Sequence, residues 1–124
     1  MSTLKTYFMM IVLVIGISTM AHAVDVTDVT RAKSFVKTLR NNTRNPDSFS
    51  LLSVGTKANK NKDSNVCVTF RAQNGFGGMY VVRAVLRADG KILSSDDPYP
   101  YAALSVTGQC NTKQLVDITD QVTQ

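Results

Sequence analysis

The sequence predicts an α+β domain: one N-terminal helix packed on an antiparallel sheet of about four strands, with one disulfide. Three observations lead there. Residues 24–42 place Val29, Ala32, Val36 and Leu39 three and four apart, which puts them on one face of a helix, and Phe35 widens that face. Residues 66–72 and 79–87 instead alternate, as half-buried strands do. Cys67 and Cys110 are the only cysteines, far apart in a chain with the marks of export.

Those marks come first in the chain. Lys5 precedes an apolar run over residues 8–17 (FMMIVLVIGI), and Ala21-His22-Ala23 then offers small residues at the positions a signal peptidase reads. The run is the length of a signal-peptide core and short for the roughly 30 Å of hydrocarbon in a bilayer. The reading is a signal peptide over residues 1–23, cleaved after Ala23, and a periplasmic or secreted bacterial domain over residues 24–124. The alternative is an uncleaved anchor over residues 7–23. No cysteine follows the run to take a lipid, and no second apolar stretch occurs, so no stable membrane anchor is expected after cleavage.

Cleavage would remove His22, the only histidine, and Lys5, lowering the net charge from +5 to +4. All nine acidic residues are aspartates, and tryptophan is absent. The mild basic excess suits an anionic envelope component, and equally suits simple solubility.

Within the mature chain, Asp25 or Thr27 is placed to cap the helix, with Asp28 in its first turn and Arg40 in its last. Lys33, Lys37, Arg40 and Arg44 form a basic stripe beside the apolar one: either a docking face for an anion or a solvated face. Asn41-Asn42 and Asn45-Pro46 end the helix, since proline disfavours helical geometry in the residue before it. Residues 49–56 read as the first strand and residues 57–65 (KANKNKDSN) as a flexible connection.

In the second strand Val66, Val68, Phe70 and Ala72 point one way and Cys67, Thr69 and Arg71 the other. In the third, Tyr80, Val82, Ala84 and Leu86 oppose Val81, Arg83, Val85 and Arg87. With neighbouring strands in register, Arg71, Arg83 and Arg87 share a basic face. Asp89-Gly90 is a tight turn into Ile92-Leu93. Residues 95–101 are a loop in which Tyr99 and Tyr101 flank Pro100, and residues 102–106 are a short helix or strand. Leu115, Ile118 and Val122 have helical spacing, although Val116, Ile118 and Asp120 also allow a strand.

Little here suits catalysis. After cleavage no histidine or glutamate remains for proton transfer, and the adjacent Asp96 and Asp97 point apart in an extended segment. No calcium-loop or zinc spacing occurs, so neither a metal nor any other cofactor is expected. The most individual segment is Asn74-Gly75-Phe76-Gly77-Gly78, a candidate binding loop. Its glycines permit positive φ, and its successive N–H groups suggest an anion-binding nest. Phe76 is either an exposed anchor or a plug for the domain's own core.

The segments Asn45-Pro46-Asp47-Ser48-Phe49, residues 66–72 (VCVTFRA) and residues 74–78 (NGFGG) resemble a group of small, uncharacterised exported bacterial proteins. These carry N-P-D-S-F and R-A-x-N-x-F-G-G in this order, with one cysteine between. The likeness spans residues 45 to about 90. In that group the second cysteine closely follows an aromatic residue, whereas Thr107-Gly108-Gln109 precedes Cys110 here. The resemblance implies an exported bacterial domain and carries no activity.

The function expected is therefore a non-enzymatic exported domain that binds a protein partner or anionic envelope component. The alternative is an inhibitor of a hydrolase. Its basic charge disfavours cationic targets, because like charges slow encounter. Nucleic acid is not an expected partner: the charge is modest and no aromatic-basic motif is present.

Overall fold

A computed structural model of the chain describes residues 25–59, 62–99 and 101–124. The expected signal peptide lies outside the described residues. Helix α1 (Val26–Asn42) leads into a 3-10 turn (Pro46–Ser48) and then a meander of strands β1 (Ser50–Asn59), β2 (Lys62–Gln73), β3 (Met79–Leu86) and β4 (Ile92–Ser94). Helix α2 (Ala102–Gln109) follows, then a 3-10 turn (Thr112–Gln114), the short strand β5 (Val116–Asp117) and a one-turn helix, α3 (Thr119–Val122). The strands form one antiparallel sheet in the order β4-β3-β2-β1-β5. The α+β architecture is as expected, with five strands rather than about four.

The helix forms where the apolar spacing places it. Asp25 Oδ1 accepts the Thr27 N–H at 2.9 Å and caps the N-terminus. Ala32, Phe35 and Val36 are buried against Val54, Val66, Val68, Phe70, Ala72, Val82 and Ala84, with Val29 and Leu39 beside them. The alternation of β2 and β3 thus supplies one wall of the core and α1 the other. Arg31 pins the helix to the sheet, donating to the Ser64 carbonyl at 2.6 Å and the Arg87 carbonyl at 3.4 Å.

Two features of β1 and β2 depart from expectation. Residues 57–59 and 62–65 are strand: Lys57 faces Asn65 and Asn59 faces Lys62. Polar side chains close this end of the hairpin, as Asn59 Nδ2 donates to the Asp63 carbonyl at 3.1 Å and to Asn65 Oδ1 at 3.0 Å. In addition, β1 carries an irregularity between Leu51 and Ser53. Leu51 pairs with Phe70 and Val54 with Val68, so both reach the core despite their odd separation.

The second sheet face has its own smaller core. Cys67 and Cys110 form the disulfide, and with Val85 and Val106 they are buried beside Leu93 and Leu115. Residues 102–106 are helical, and α2 covers this part of the face, so the domain has helices on both sides of its sheet. Gly55 lies under Leu115: a Cβ there would sit 3.1 Å from Leu115 Cβ.

The carboxyl end closes the first core. Ile118 N donates to the Val54 carbonyl at 2.9 Å, and Thr119 Oγ1 accepts the Val54 N–H at 2.9 Å. The helical spacing of Leu115, Ile118 and Val122 does not mark one helix. Leu115 packs in the second core, while Ile118 and Val122 pack in the first.

Candidate functional site

The β2–β3 turn is the most tightly specified surface feature, and two segments distant in sequence build it. The 3-10 turn at Pro46–Ser48 docks on the end of β2. Ser48 Oγ accepts the Gln73 N–H at 3.0 Å, and Asn45 Nδ2 donates to Gln73 Oε1 at 3.0 Å. The N-P-D-S-F segment and the glycine-rich segment are therefore one structure.

Within the turn, Asn74 is the organiser. Its Oδ1 accepts the N–H groups of Phe76 and Gly78, each at 2.9 Å. Its backbone accepts from Gly77 N at 3.2 Å and donates to the Gly78 carbonyl at 2.7 Å. Gly77 has φ 84°, where a side chain would be strained. The expected anion nest does not form: the N–H groups of Phe76, Gly77 and Gly78 are already bonded, and the Asn74 amide oxygen occupies the place an anion would take. We expect Asn74→Ala to release two of these donors and to cost about 1 kcal/mol in urea denaturation. Faster exchange of the Phe76 and Gly78 amides would accompany that loss.

This turn holds Phe76 entirely in solvent, 100% exposed. Phe76 does not plug the domain's own core. The Arg44 guanidinium lies against Gly75, where a Cβ would fall 2.0 Å from Nη1. Met79 and Val81, on β3 just beyond the turn, are both about half exposed (52% and 55%).

The register puts Arg71 and Arg83 on the same side of the sheet, and Arg87 falls outside it, so the three arginines of the expected basic face are not assembled. Arg71 faces Val81 and Thr69 faces Arg83, so Arg71 and Arg83 are diagonal neighbours on the uncovered half of the second face. Neither makes an ion pair among the described residues. Arg87 lies past the end of β3, and its Nη2 pairs with Asp89 Oδ2 at 3.3 Å. The basic surface is thus a pair, Arg71 and Arg83.

The helical stripe divides in a similar way. Lys33, Lys37 and Arg40 border a shallow groove against Val36, Leu51 and Val122. Arg40 also stands 5.1 Å above the Phe49 ring. Arg44 lies beyond the end of the helix and belongs to the β2–β3 turn.

Other candidates are tied up locally. Asp96 accepts from Ser94 Oγ and from Tyr80 OH, and Asp97 Oδ1 accepts the Tyr99 N–H at 2.9 Å. Burial, followed by the charge of Asp96, raises the Tyr80 pKa. Tyr99 and Tyr101 are exposed and pack edge to face on each other, with ring centres 5.8 Å apart. Among the described residues, no group of three or more histidine, cysteine or acidic side chains is placed to hold a metal ion, and no helix is long and apolar enough to cross a membrane.

No protein-family model matches the chain, and neither does any curated protein or solved structure.

Proposed function

We propose that this is an exported, non-enzymatic binding domain that docks a partner in the bacterial envelope through Phe76. Met79 and Val81 extend its apolar contact, and Arg44 and Arg71 face an acidic rim on the partner. The observation that carries the reading is the full exposure of Phe76 on a turn whose amides are bonded internally. Holding an aromatic ring in water forgoes the apolar burial of one of the largest side chains. A pinned turn also presents that ring with little conformational entropy left to lose on binding. Aromatic and arginine side chains are the ones that most often dominate binding energy.

Binding to envelope extract tests this. Immobilised wild-type protein should retain a partner, and Phe76→Ser should weaken retention about 30-fold, the loss of one strong anchor. Leu104→Ser, at an exposed position on α2, should leave it unchanged. Equal retention by all three proteins would reject the Phe76 site.

Export rests on the leader, the resemblance and the disulfide, which is typical of oxidising compartments. Intact mass of protein from the periplasmic fraction should match residues 24–124 less two hydrogens. A full-length mass with free thiols would contradict it.

A second reading, inhibition of a hydrolase, is favoured by the single ring at the apex of a pinned turn, a shape suited to entering a cleft. Full activity of protease and muramidase panels in excess protein would dispose of it.

A further inference from the structure

Strand β3 outruns its neighbour on one side. It pairs with β2 from Met79 to Leu86, whereas β4 covers only Ala84 to Leu86. Ser95 adds one contact: its Oγ accepts the Arg83 N–H at 3.0 Å and its N–H donates to the Arg83 carbonyl at 2.8 Å. The chain then turns, with the Asp97 N–H on the Ser94 carbonyl at 3.1 Å. Met79 and Val81 are left at an open edge. We propose that an extended, acidic segment of the partner adds to this edge as an antiparallel strand. This mode of docking rests on the role given to Phe76 above and deepens it.

Backbone direction is the first ground. Antiparallel partners alternate between pairs that exchange both backbone bonds and pairs that exchange none. The Asn74 N–H donates to the Gly78 carbonyl at the end of the β2–β3 ladder, so the bonded pairs with β2 fall at Tyr80, Val82, Ala84 and Leu86. Met79, Val81, Arg83 and Val85 therefore turn their N–H and C=O groups to the other side. There Arg83 bonds to Ser95, and Val85 faces Leu93. Met79 and Val81 have no backbone partner on that side among the described residues. Their N–H and C=O groups recur about 7 Å apart, the repeat that one edge of an extended polypeptide matches.

The lack of edge protection is the second ground. Exposed edges are ordinarily blunted by lysine, proline, an irregularity or a covering segment. The other edge of this sheet has three of these. Strand β5 covers β1 at Gly55 and Thr56, an irregularity falls between Leu51 and Ser53, and Lys57 follows. Residues 79–82 (MYVV) pair with β2 without irregularity and hold neither lysine nor proline. Met79 and Val81 are instead apolar and about half exposed.

Charge selects the occupant. A residue opposite Val81 on the added strand would share the uncovered face with Arg71, across Val81, and with Arg83 on the diagonal. Neither arginine forms an ion pair among the described residues, so an acidic side chain fits that position. A second copy of β3 would instead bring two more arginines to the same face. Two places along, opposite Met79, an apolar side chain would lie toward the Phe76 turn.

Amide exchange and chemical-shift titration with the capped peptide acetyl-Asp-Thr-Val-Thr-amide test this, with its Asp opposite Val81 and its Val opposite Met79. In the free protein the Met79 and Val81 amides should exchange faster than those of Tyr80 and Val82. Saturating peptide should slow both. N-methylation of the peptide's Asp removes the donor to the Val81 carbonyl and should weaken binding about tenfold, the worth of one hydrogen bond. N-methylation of its first Thr, whose N–H points away from β3, should change affinity less than about twofold. Lys in place of Asp should weaken binding about fivefold. Val81→Pro removes the outward N–H without touching the β2 ladder, as edge prolines do, and should fold and lose about tenfold. Val81→Thr keeps that N–H and should bind like wild type.

Met79 and Val81 amides as slow as that of Tyr80 in the free protein, no saturation at millimolar peptide, or equal binding of the Asp-methylated peptide would overturn strand addition. Protection that rises with protein concentration in the absence of peptide would assign the edge to a second copy and overturn it too. In envelope extract Val81→Pro should lose retention as Phe76→Ser does. Loss with Phe76→Ser alone would overturn the added strand and leave the Phe76 site standing. Phe76→Ser should bind the tetrapeptide like wild type, because the peptide ends opposite Gly78, short of the ring.

Discussion

Reducing the Cys67–Cys110 bond should destabilise the domain by about 4 kcal/mol, lowering its melting temperature by about 20 °C. The bridge joins residues 43 apart in sequence, so it removes much freedom from the unfolded chain. Total stability for a domain of this size is about 5–15 kcal/mol, and few other contacts could substitute. Among the described residues the second core holds only Val85 and Val106 besides the two cysteines as buried members, with Leu93 and Leu115 at its margin. Helix α2 depends on that small cluster, so its amides should lose hydrogen-exchange protection before those of β2 and β3. Thermal unfolding with and without reductant measures the effect. A change below about 1 kcal/mol would mean that packing alone holds the second face, contrary to the account given above.

Ile118→Ala should cost about 3 kcal/mol, the range for removing a large aliphatic side chain from a filled core. Ile118 is 0% exposed and is the largest fully buried side chain among the described residues. It closes the first core from the carboxyl side, with its amide on the Val54 carbonyl and Thr119 Oγ1 accepting from Val54 N. The resulting cavity would lie against β1, and loss of β5 pairing would follow. Val116→Ala, two residues earlier and largely exposed, should change stability by less than about 0.5 kcal/mol. Urea denaturation of the pair separates the readings. Similar costs for both would show that the carboxyl segment packs as a continuous element.

That contrast also marks where sequence patterning stops being informative. Helix α1 and strands β2 and β3 repeat their burial period over many residues, so a face can be read directly. Strand β5 has two residues and α3 a single turn, and neither holds a period long enough to register. The apolar spacing at Leu115, Ile118 and Val122 is shared between two cores on opposite sides of the sheet. In β1 the irregularity between Leu51 and Ser53 breaks alternation, which hides how Leu51 and Val54 both reach the core. The polar composition of residues 57–65 suggested a loop, yet asparagine side chains supply the closing bonds of a hairpin.

The candidate site was legible in kind but not in geometry. The residues of the glycine-rich turn stood out, but local sequence does not indicate that Asn74 consumes the amides of its own loop. Nor does it show that Asn45 and Ser48 brace Gln73, since those contacts cross 25 residues or more. Alternation placed Arg71, Arg83 and Arg87 on one side. The separation of Arg87 follows from the end of β3 at Leu86 and from its ion pair with Asp89, neither of which alternation marks.

The claim that Phe76 is the docking anchor is tested most directly by site-specific photocrosslinking in the producing cells. A benzophenone amino acid would be placed at position 76 and, as a control, at position 104 on α2. The account predicts a light-dependent adduct of defined mass from position 76 and none from position 104. No adduct at position 76, or the same adducts from both positions, would contradict it.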